Sequence, residues 1–146
     1  MEMYALRHGC ELLPCYDDDA GKLKSIRDGQ PVLVTIAEAR SIRFHRKYFA
    51  LVSTAWECID EKWRIRFREN LDNFRRTLTL LAGFTDQVYL PSSGEWIETP
   101  RSISFERMSE AEFRLLYDAT LNVLLGQFLP EADGRRNAFL DELAHF

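Results

Sequence analysis

Apolar residues recur along this chain with two periods, and each period predicts one class of secondary structure. Short runs dominated by apolar and β-branched residues predict strands, and the clearest is residues 31–36 (PVLVTI). The other predicted strands are residues 3–7, 11–13, 85–90 and 95–99. The last two enclose residues 91–94 (PSSG), a sequence typical of a hairpin loop, so they predict an antiparallel pair.

Apolar residues spaced three and four apart predict the helices. The central one begins after Ser41, a residue suited to cap it, and carries His45, Tyr48 and Trp56 on its apolar face. A serine at 109 with a glutamate three residues on is a capping box that starts another long helix. Further helices are predicted for residues 17–27, 66–82 and 135–146.

Hairpins and helices in this order, without a strand–helix–strand repeat, predict an α+β fold. We expect small antiparallel strands and hairpins packed against three main helices. The 146 residues suit a single domain, in which residues 135–146 are expected to form a short terminal helix of their own. Hydrophobic residues make up 46% of the chain, which is enough apolar side chain for a buried core.

Membrane spans and disulfides are not expected. No apolar run approaches the ~20 residues that cross a bilayer, and residues 1–7 lack the apolar segment of a signal peptide. The three cysteines are an odd number, whereas disulfide frameworks favour even counts. These features predict a protein of the reducing cytoplasm.

Charge is spread unevenly along the chain, although the net charge is only −4. Residues 40–76 contain ten Lys and Arg against five Asp and Glu, a local charge of +5. Residues 1–39 carry −3 and residues 77–146 carry −6. A basic middle between acidic ends makes residues 40–76 the best candidate surface for an anionic partner.

The basic segment also contains aromatic residues, among them Phe44, Tyr48, Trp56 and Trp63. Proteins that bind single-stranded nucleic acid combine cations for the phosphates with flat rings for the unstacked bases. The same pattern fits a solvated helix face whose aromatic residues lie in the core, and the residues alone slightly favour that interpretation. The candidate nucleic-acid-binding residues are Arg40, Arg43, Arg46, Lys47, Arg64, Arg68, Arg75 and Arg76.

No set of residues matches a catalytic or metal-binding pattern, so we expect neither an enzyme nor a cofactor. His8, Cys10 and Cys15 lie close together but lack zinc-ligand spacing, which favours structural thiols. A nucleophilic Cys58 needs a histidine within hydrogen-bond reach, and His45 belongs to the apolar face of the central helix. The seven glycines are scattered and form no phosphate-binding loop.

Residues 31–51 (PVLVTIAEARSIRFHRKYFAL) resemble the signature of a family of small tailed-phage and prophage proteins of unknown function. The resemblance continues, in order, at residues 80–84 (LLAGF), 102–105 (SISF), 108, 112–113 and 116–117. In all it covers residues 3–129. The resemblance implies a protein that acts in the cytoplasm of an infected or lysogenic bacterial host.

Residues 32–51 also resemble the phage NinB (Orf) recombination family, in which a strand leads through Arg-Ser into a basic and aromatic helix start. That likeness implies a homodimer that binds single-stranded DNA and helps to load a recombinase. It transfers to Arg40, Ser41, Arg46 and Lys47. His45 departs from the polar residues that the NinB pattern favours nearby.

Two functions stay open. The first is a non-enzymatic phage accessory protein that binds single-stranded DNA, or a replication or recombination complex, through residues 40–76. The second is a phage effector that binds and modulates a host protein, such as a nucleic-acid-handling or defence complex, through residues 77–146. Carboxylates there either meet a basic partner or only confer solubility. The candidate partner-binding residues are Glu106, Glu110, Glu112 and Asp118.

Overall fold

The computed structural model describes residues 1–37, 41–104 and 107–146. The chain divides into two compact units, residues 1–39 and residues 40–146. Each unit combines α-helix with one antiparallel pair of strands, which agrees with the predicted α+β class. The single domain predicted for residues 1–146 stays a prediction.

The N-terminal unit consists of a hairpin followed by one helix. Its elements are β1 (Ala5–His8), β2 (Glu11–Pro14) and α1 (Asp17–Lys24). Gly9 has the left-handed backbone (φ 62°) that the tight turn between the strands requires. Three aspartates open α1, where negative charge is favourable. One of them, Asp19, is buried and pairs with Lys22 of the same helix at 3.0 Å.

The strand predicted for residues 31–36 is wrong. Residues 31–37 form no hydrogen-bonded element, and Leu33 is 98% exposed. β-Branched residues fit a pleated surface, but a strand also needs a neighbour for its backbone N–H and C=O groups. No strand in the part of the chain that the structure describes pairs with this segment.

The C-terminal unit contains most of the helices and the second hairpin. Its elements are α2 (Ile42–Cys58), α3 (Glu61–Arg66), α4 (Leu71–Leu81), β3 (Thr85–Leu90), β4 (Glu95–Pro100), α5 (Glu110–Val123) and α6 (Arg135–Leu143). The predicted caps are confirmed. The Ser41 hydroxyl accepts a hydrogen bond from Phe44 N at 3.3 Å, and Ser109 with Glu112 forms the complete capping box of α5. The hairpin is confirmed as well, with Tyr89 opposite Trp96.

The helix predicted for residues 66–82 is wrong in its first turns, because two helices meet there. Arg68 and Glu69 have left-handed backbones (φ 57° and 52°), which end α3. The Asn70 side chain then accepts a hydrogen bond from the N–H three residues on, at 3.0 Å, and starts α4. The apolar period runs across this corner because residues on both sides pack into the same aromatic cluster.

The core of the C-terminal unit forms where α2, α4 and α5 face one another. These are the three longest helices among the described residues, and α6 adds Phe139 to the same core. The buried residues of each helix recur at helical spacing, since every third and fourth side chain returns to one face. On α2, α4 and α5 they are Tyr48, Leu51, Val52, Ala55, Phe74, Leu78, Thr79, Phe113, Leu116, Tyr117 and Thr120. Burying each large apolar side chain contributes about 1.5–3 kcal/mol.

Helix α5 continues directly into one turn of π-helix, Leu124–Phe128. Its closing hydrogen bond runs from Leu129 N to Leu124 O at 2.8 Å, five residues back along the chain. The wide turn keeps Phe128 inside the core, with its ring centroid 5.0 Å from that of Trp63 and 5.3 Å from that of Phe74.

Candidate nucleic-acid interface

A groove of about 460 Å³ lies beside the first turns of α2 and α5, and we call it the α2 groove. Three of the predicted cations, Arg43, Arg46 and Lys47, line it together with Ala50. These four occupy positions i, i+3, i+4 and i+7 of one helix, so they share a face. The other lining residues are Ser41, Phe44, Arg114 and Phe146.

Aromatic rings support two of the cations in the α2 groove. The Arg114 guanidinium carbon lies 4.4 Å from the centroid of the Phe44 ring, and Lys47 Nζ lies 5.4 Å from the centroid of Tyr117. Ring faces attract cations, which favours these positions over free rotation in solvent. Arg114 was missed from the sequence, because its i,i+4 spacing from Glu110 is typical of an ordinary surface pair.

A second depression, of about 340 Å³, lies at the corner between α3 and α4, and we call it the α3–α4 cleft. Arg66, Arg68 and Arg76 line it. Its other lining residues are Phe67, Asn73, Thr77, Leu80 and Pro100. Two of the predicted cations, Arg68 and Arg76, therefore belong to a different surface from those of α2.

The backbone at this corner has the hydrogen bonds of a Schellman motif. Glu69 N donates to Arg64 O at 2.9 Å, and Arg68 N donates to Ile65 O at 2.9 Å. In this motif the residue in the position of Arg68 has a left-handed backbone and is usually glycine. Here it is an arginine with φ 57°.

The cations that line the two depressions differ from one another, and from Arg75, in their ion pairing. Arg75 pairs with Asp72 at 2.8 Å, and Arg114 pairs with Glu110 at 3.0 Å. No carboxylate among the described residues forms an ion pair with the remaining group, which is Arg43, Lys47, Arg66, Arg68 and Arg76. Their charges are thus available to an anionic partner.

Two of the eight predicted cations, Arg64 and Arg75, lie outside both depressions. The Arg75 side chain is only 19% exposed and lies close to Tyr48. Burial raises the pKa of the Tyr48 hydroxyl, and the charge of Arg75 lowers it by a smaller amount. The Arg64 Nε is buried and has no hydrogen-bond partner among the described residues. Both arginines are half-buried, whereas Arg43, Arg68 and Arg76 are exposed. The remaining predicted cation, Arg40, lies outside the described residues.

The aromatic residues of the basic segment lie mainly in the core. Tyr48 is fully buried, and Trp56 and Trp63 pack in a cluster with Phe67, Phe74 and Phe128. Of the four aromatic residues considered as stacking platforms, only Phe44 lines either depression. The interpretation that the aromatic residues of this helical segment lie in the core is therefore correct for Tyr48, Trp56 and Trp63.

An exposed aromatic pair occurs on the hairpin instead, where the sequence drew no attention to it. Tyr89 and Trp96 are 48% and 66% exposed, and their ring centroids are 5.3 Å apart. The charged residues of the two strands are Asp86, Glu95 and Glu98, all carboxylates. This composition suits a protein partner better than a phosphate backbone.

The candidate acidic residues are largely engaged within α5 and its surroundings. Glu112 caps the helix and also contacts Arg101 at 3.4 Å. The hydrogen bond that the Ser109 N–H donates to the Glu112 carboxylate lowers the pKa of this carboxyl. The Ser109 hydroxyl and Arg101 also lower it. Asp118 is exposed, and Glu106 lies outside the described residues.

The candidate groups for catalysis lie far apart. His45 and Cys58 are thirteen residues apart on α2, which separates them by about 20 Å along the axis. The His45 ring stacks on Phe113 at 5.6 Å, and burial, with the charges of Glu142 and Glu57, raises the pKa of Cys58.

Within residues 1–37, 41–104 and 107–146, no three His, Cys, Asp or Glu side chains are grouped in a way that suits a metal ion. None of the helices described has both the length and the apolar character needed to cross a membrane.

One family model matches the chain. It covers residues 59–138 and is described as "Protein of unknown function (DUF1367)". No curated protein and no solved structure matches. The matched residues contain the α3–α4 cleft and the capping box of α5, whereas residues 31–51, which suggested the phage likeness, precede them.

Proposed function

This chain belongs to the DUF1367 family of proteins of unknown function, and on that premise we propose that it is a non-enzymatic accessory protein that binds single-stranded DNA. Binding uses the cations of the α2 groove and the α3–α4 cleft in the C-terminal unit. The setting we propose is a phage or prophage replication or recombination complex in the cytoplasm of a bacterial host. The likeness of residues 31–51 to tailed-phage proteins, and of residues 32–51 to NinB, supports that setting.

One observation carries the proposal: five cations around the two depressions have no ion pair within the described residues. An exposed cation on an ordinary helix face often forms an ion pair with a carboxylate three or four residues away, as Arg75 does with Asp72. The five cations stand instead beside apolar surfaces such as Phe44 and Leu80. A phosphate backbone supplies the missing negative charge and releases its own counterions on binding.

The apolar parts of the depressions support a single strand over a duplex. Phe146 in the α2 groove is 59% exposed, and its ring is a surface on which an unstacked base is able to pack. Bases inside a duplex do not present their faces. Since few rings are available, most of the affinity comes from the phosphates, and sequence preference is weak.

The test is fluorescence anisotropy of a labelled oligothymidylate over a series of salt concentrations. We expect tight binding at low salt that weakens as salt rises, with a linear dependence of log affinity on log salt. Substituting Arg43→Gln together with Lys47→Gln reduces the slope by about 0.7 for each phosphate that the variant no longer neutralises. The matched control is Lys62→Gln with Arg107→Gln, which removes two exposed cations outside both depressions.

Two results contradict the proposal. One is the absence of binding at low salt. The other is an equal loss of affinity in the groove variant and in its control, because net charge alone then accounts for the attraction.

The alternative function, in which an effector binds a host protein through its acidic C-terminal half, has weaker support. Glu110 and Glu112 already have partners in Arg114, Ser109 and Arg101. An acidic docking surface built on α5 is therefore reduced to its exposed Asp118 within the described residues.

A further inference from the structure

We infer that the α3–α4 cleft binds a terminal phosphate group, as found on a mononucleotide or on the phosphorylated end of a nucleic-acid strand. The choice of ligand rests on the proposed function. The site itself follows from the residues of the cleft and from the backbone that holds one of them.

The charge of the cleft fits a phosphate monoester. Arg66, Arg68 and Arg76 line one depression, and none of them has an ion pair in the part of the chain that the structure describes. A phosphodiester carries one negative charge, whereas a terminal phosphate carries about −1.5 to −2 at neutral pH. Three guanidiniums match the larger charge better, and each offers paired N–H donors to phosphate oxygens.

The surroundings of these arginines suit the rest of a nucleotide. The Arg66 guanidinium carbon lies 5.1 Å from the centroid of Trp63, so a ring supports that cation. Asn73 and Thr77 add uncharged hydrogen-bonding groups, and Leu80 and Pro100 add apolar surface. Polar groups beside an apolar wall are the usual composition of a small-molecule site.

The backbone of Arg68 adds to the evidence from charge, because this residue both lines the cleft and has an unfavourable conformation. Its left-handed backbone, at a position that favours glycine, is unfavourable for a residue with a Cβ. Unfavourable backbone conformations of this kind occur disproportionately where a side chain serves binding. Glu69, with φ 52°, is left-handed too but does not line the cleft. A substitution at Glu69 is therefore a matched control for the effect of the backbone conformation alone.

The experiment compares Arg68→Gly with Glu69→Gly in the full chain, by calorimetric titration with thymidine 5′-monophosphate and with thymidine. Glycine relieves a left-handed backbone at both positions, so we expect each variant to melt about 3 °C higher than the wild type. The Glu69→Gly protein should bind the monophosphate as the wild type does. The Arg68→Gly protein should bind it about tenfold more weakly, because one charge-assisted hydrogen-bonding partner is removed.

A third variant, Arg76→Gln, tests the cleft without altering the corner. It leaves the left-handed residues in place and should weaken monophosphate binding to a similar degree. The inference is overturned when Arg68→Gly binds the monophosphate as tightly as Glu69→Gly does. Equal binding of thymidine and its monophosphate overturns it as well.

Oligonucleotides identify the source of the phosphate and separate this inference from the proposed function. Tighter binding of 5′-phosphorylated than of unphosphorylated oligothymidylate, abolished by Arg68→Gly, identifies a strand end. Equal binding of the two strands, with monophosphate binding intact, identifies a free nucleotide. Salt-dependent strand binding without monophosphate binding overturns the inference alone, and monophosphate binding without strand binding overturns the proposed function alone.

Discussion

The two units of this chain contain similar fractions of apolar residues, but within the described part of the chain these residues are buried in only one of them. In residues 1–39 the only buried residue among those described is Asp19, and apolar side chains such as Leu6 and Leu33 are 65% and 98% exposed. In residues 40–146 three helices place every third or fourth side chain in a shared core. Apolar residues therefore stabilise a fold only where a second face is present to cover them.

The sharpest way to break this contrast is to delete one side chain from each unit. Phe113 is fully buried among Phe44, His45 and Tyr48, so Phe113→Ala should cost about 3–5 kcal/mol through lost burial and a residual cavity. Leu33→Ala should leave the free energy of unfolding unchanged to within about 0.5 kcal/mol. Urea denaturation followed by tryptophan fluorescence measures both. Equal losses would mean that residues 31–37 are covered in solution.

Helix capping provides a second contrast. The N-cap of α5, Ser109, accepts a hydrogen bond from Glu112 N at 3.2 Å, whereas the N-cap of α1, Tyr16, makes no side-chain cap bond. We expect Ser109→Ala to lower the free energy of unfolding by about 1 kcal/mol. Ser109→Asp, which keeps a capping oxygen, is the control and should retain most of the stability. An unchanged urea midpoint in Ser109→Ala would argue against the capping box.

The same capping box makes the C-terminal unit sensitive to acid. Hydrogen bonds from Ser109 lower the pKa of Glu112 below its ordinary value of 4.5, so the ionised carboxylate stabilises the fold. That contribution is complete above pH 4.5 and is lost as the pH falls through the lowered pKa. Glu112→Gln keeps the hydrogen bond but cannot titrate. The stability difference between wild type and Glu112→Gln should shrink between about pH 5 and about pH 3, and a constant difference would contradict the assignment.

The smallest expected difference concerns two thiols. Cys10 is exposed in the N-terminal unit, whereas Cys58 is half-buried and has a raised pKa. Because the thiolate is the reactive form, Cys58 should be alkylated several-fold more slowly than Cys10 at about pH 8. Rates with iodoacetamide in Cys15→Ser/Cys58→Ser and in Cys10→Ser/Cys15→Ser measure each thiol alone. Faster alkylation of Cys58 than of Cys10 would contradict this prediction.

Local patterns predicted the features that local physics decides. Ser41 and Ser109 were recognised as caps, and the buried stripe of α2 followed from its period, because both depend on residues within two turns of helix. The strand over residues 31–36 failed because a strand depends on a partner elsewhere in the chain. The corner at Arg68 failed because nothing in its residue type indicates a left-handed backbone.

The candidate site was predictable to a similar degree. Arg43, Arg46 and Lys47 were predicted as candidate cations, and the structure brings them together along the α2 groove. Nothing in the sequence indicated Arg114, which reaches the α2 groove from another helix, or the half-buried positions of Arg64 and Arg75. The packing of the helices decides which cations share a surface, and this packing depends on residues from several segments together.

The single π-turn after α5 has a consequence for how this protein tolerates changes in length. A residue added to or removed from an ordinary α-helix rotates everything beyond it by about 100°. At Leu124–Phe128 the chain holds one residue more than a regular turn needs, and Phe128 faces the core only because of it. Deleting the exposed Gly126 would restore the regular pitch and turn Phe128 away from Trp63. The additional residue thus sets the rotational position of Phe128 about the helix axis.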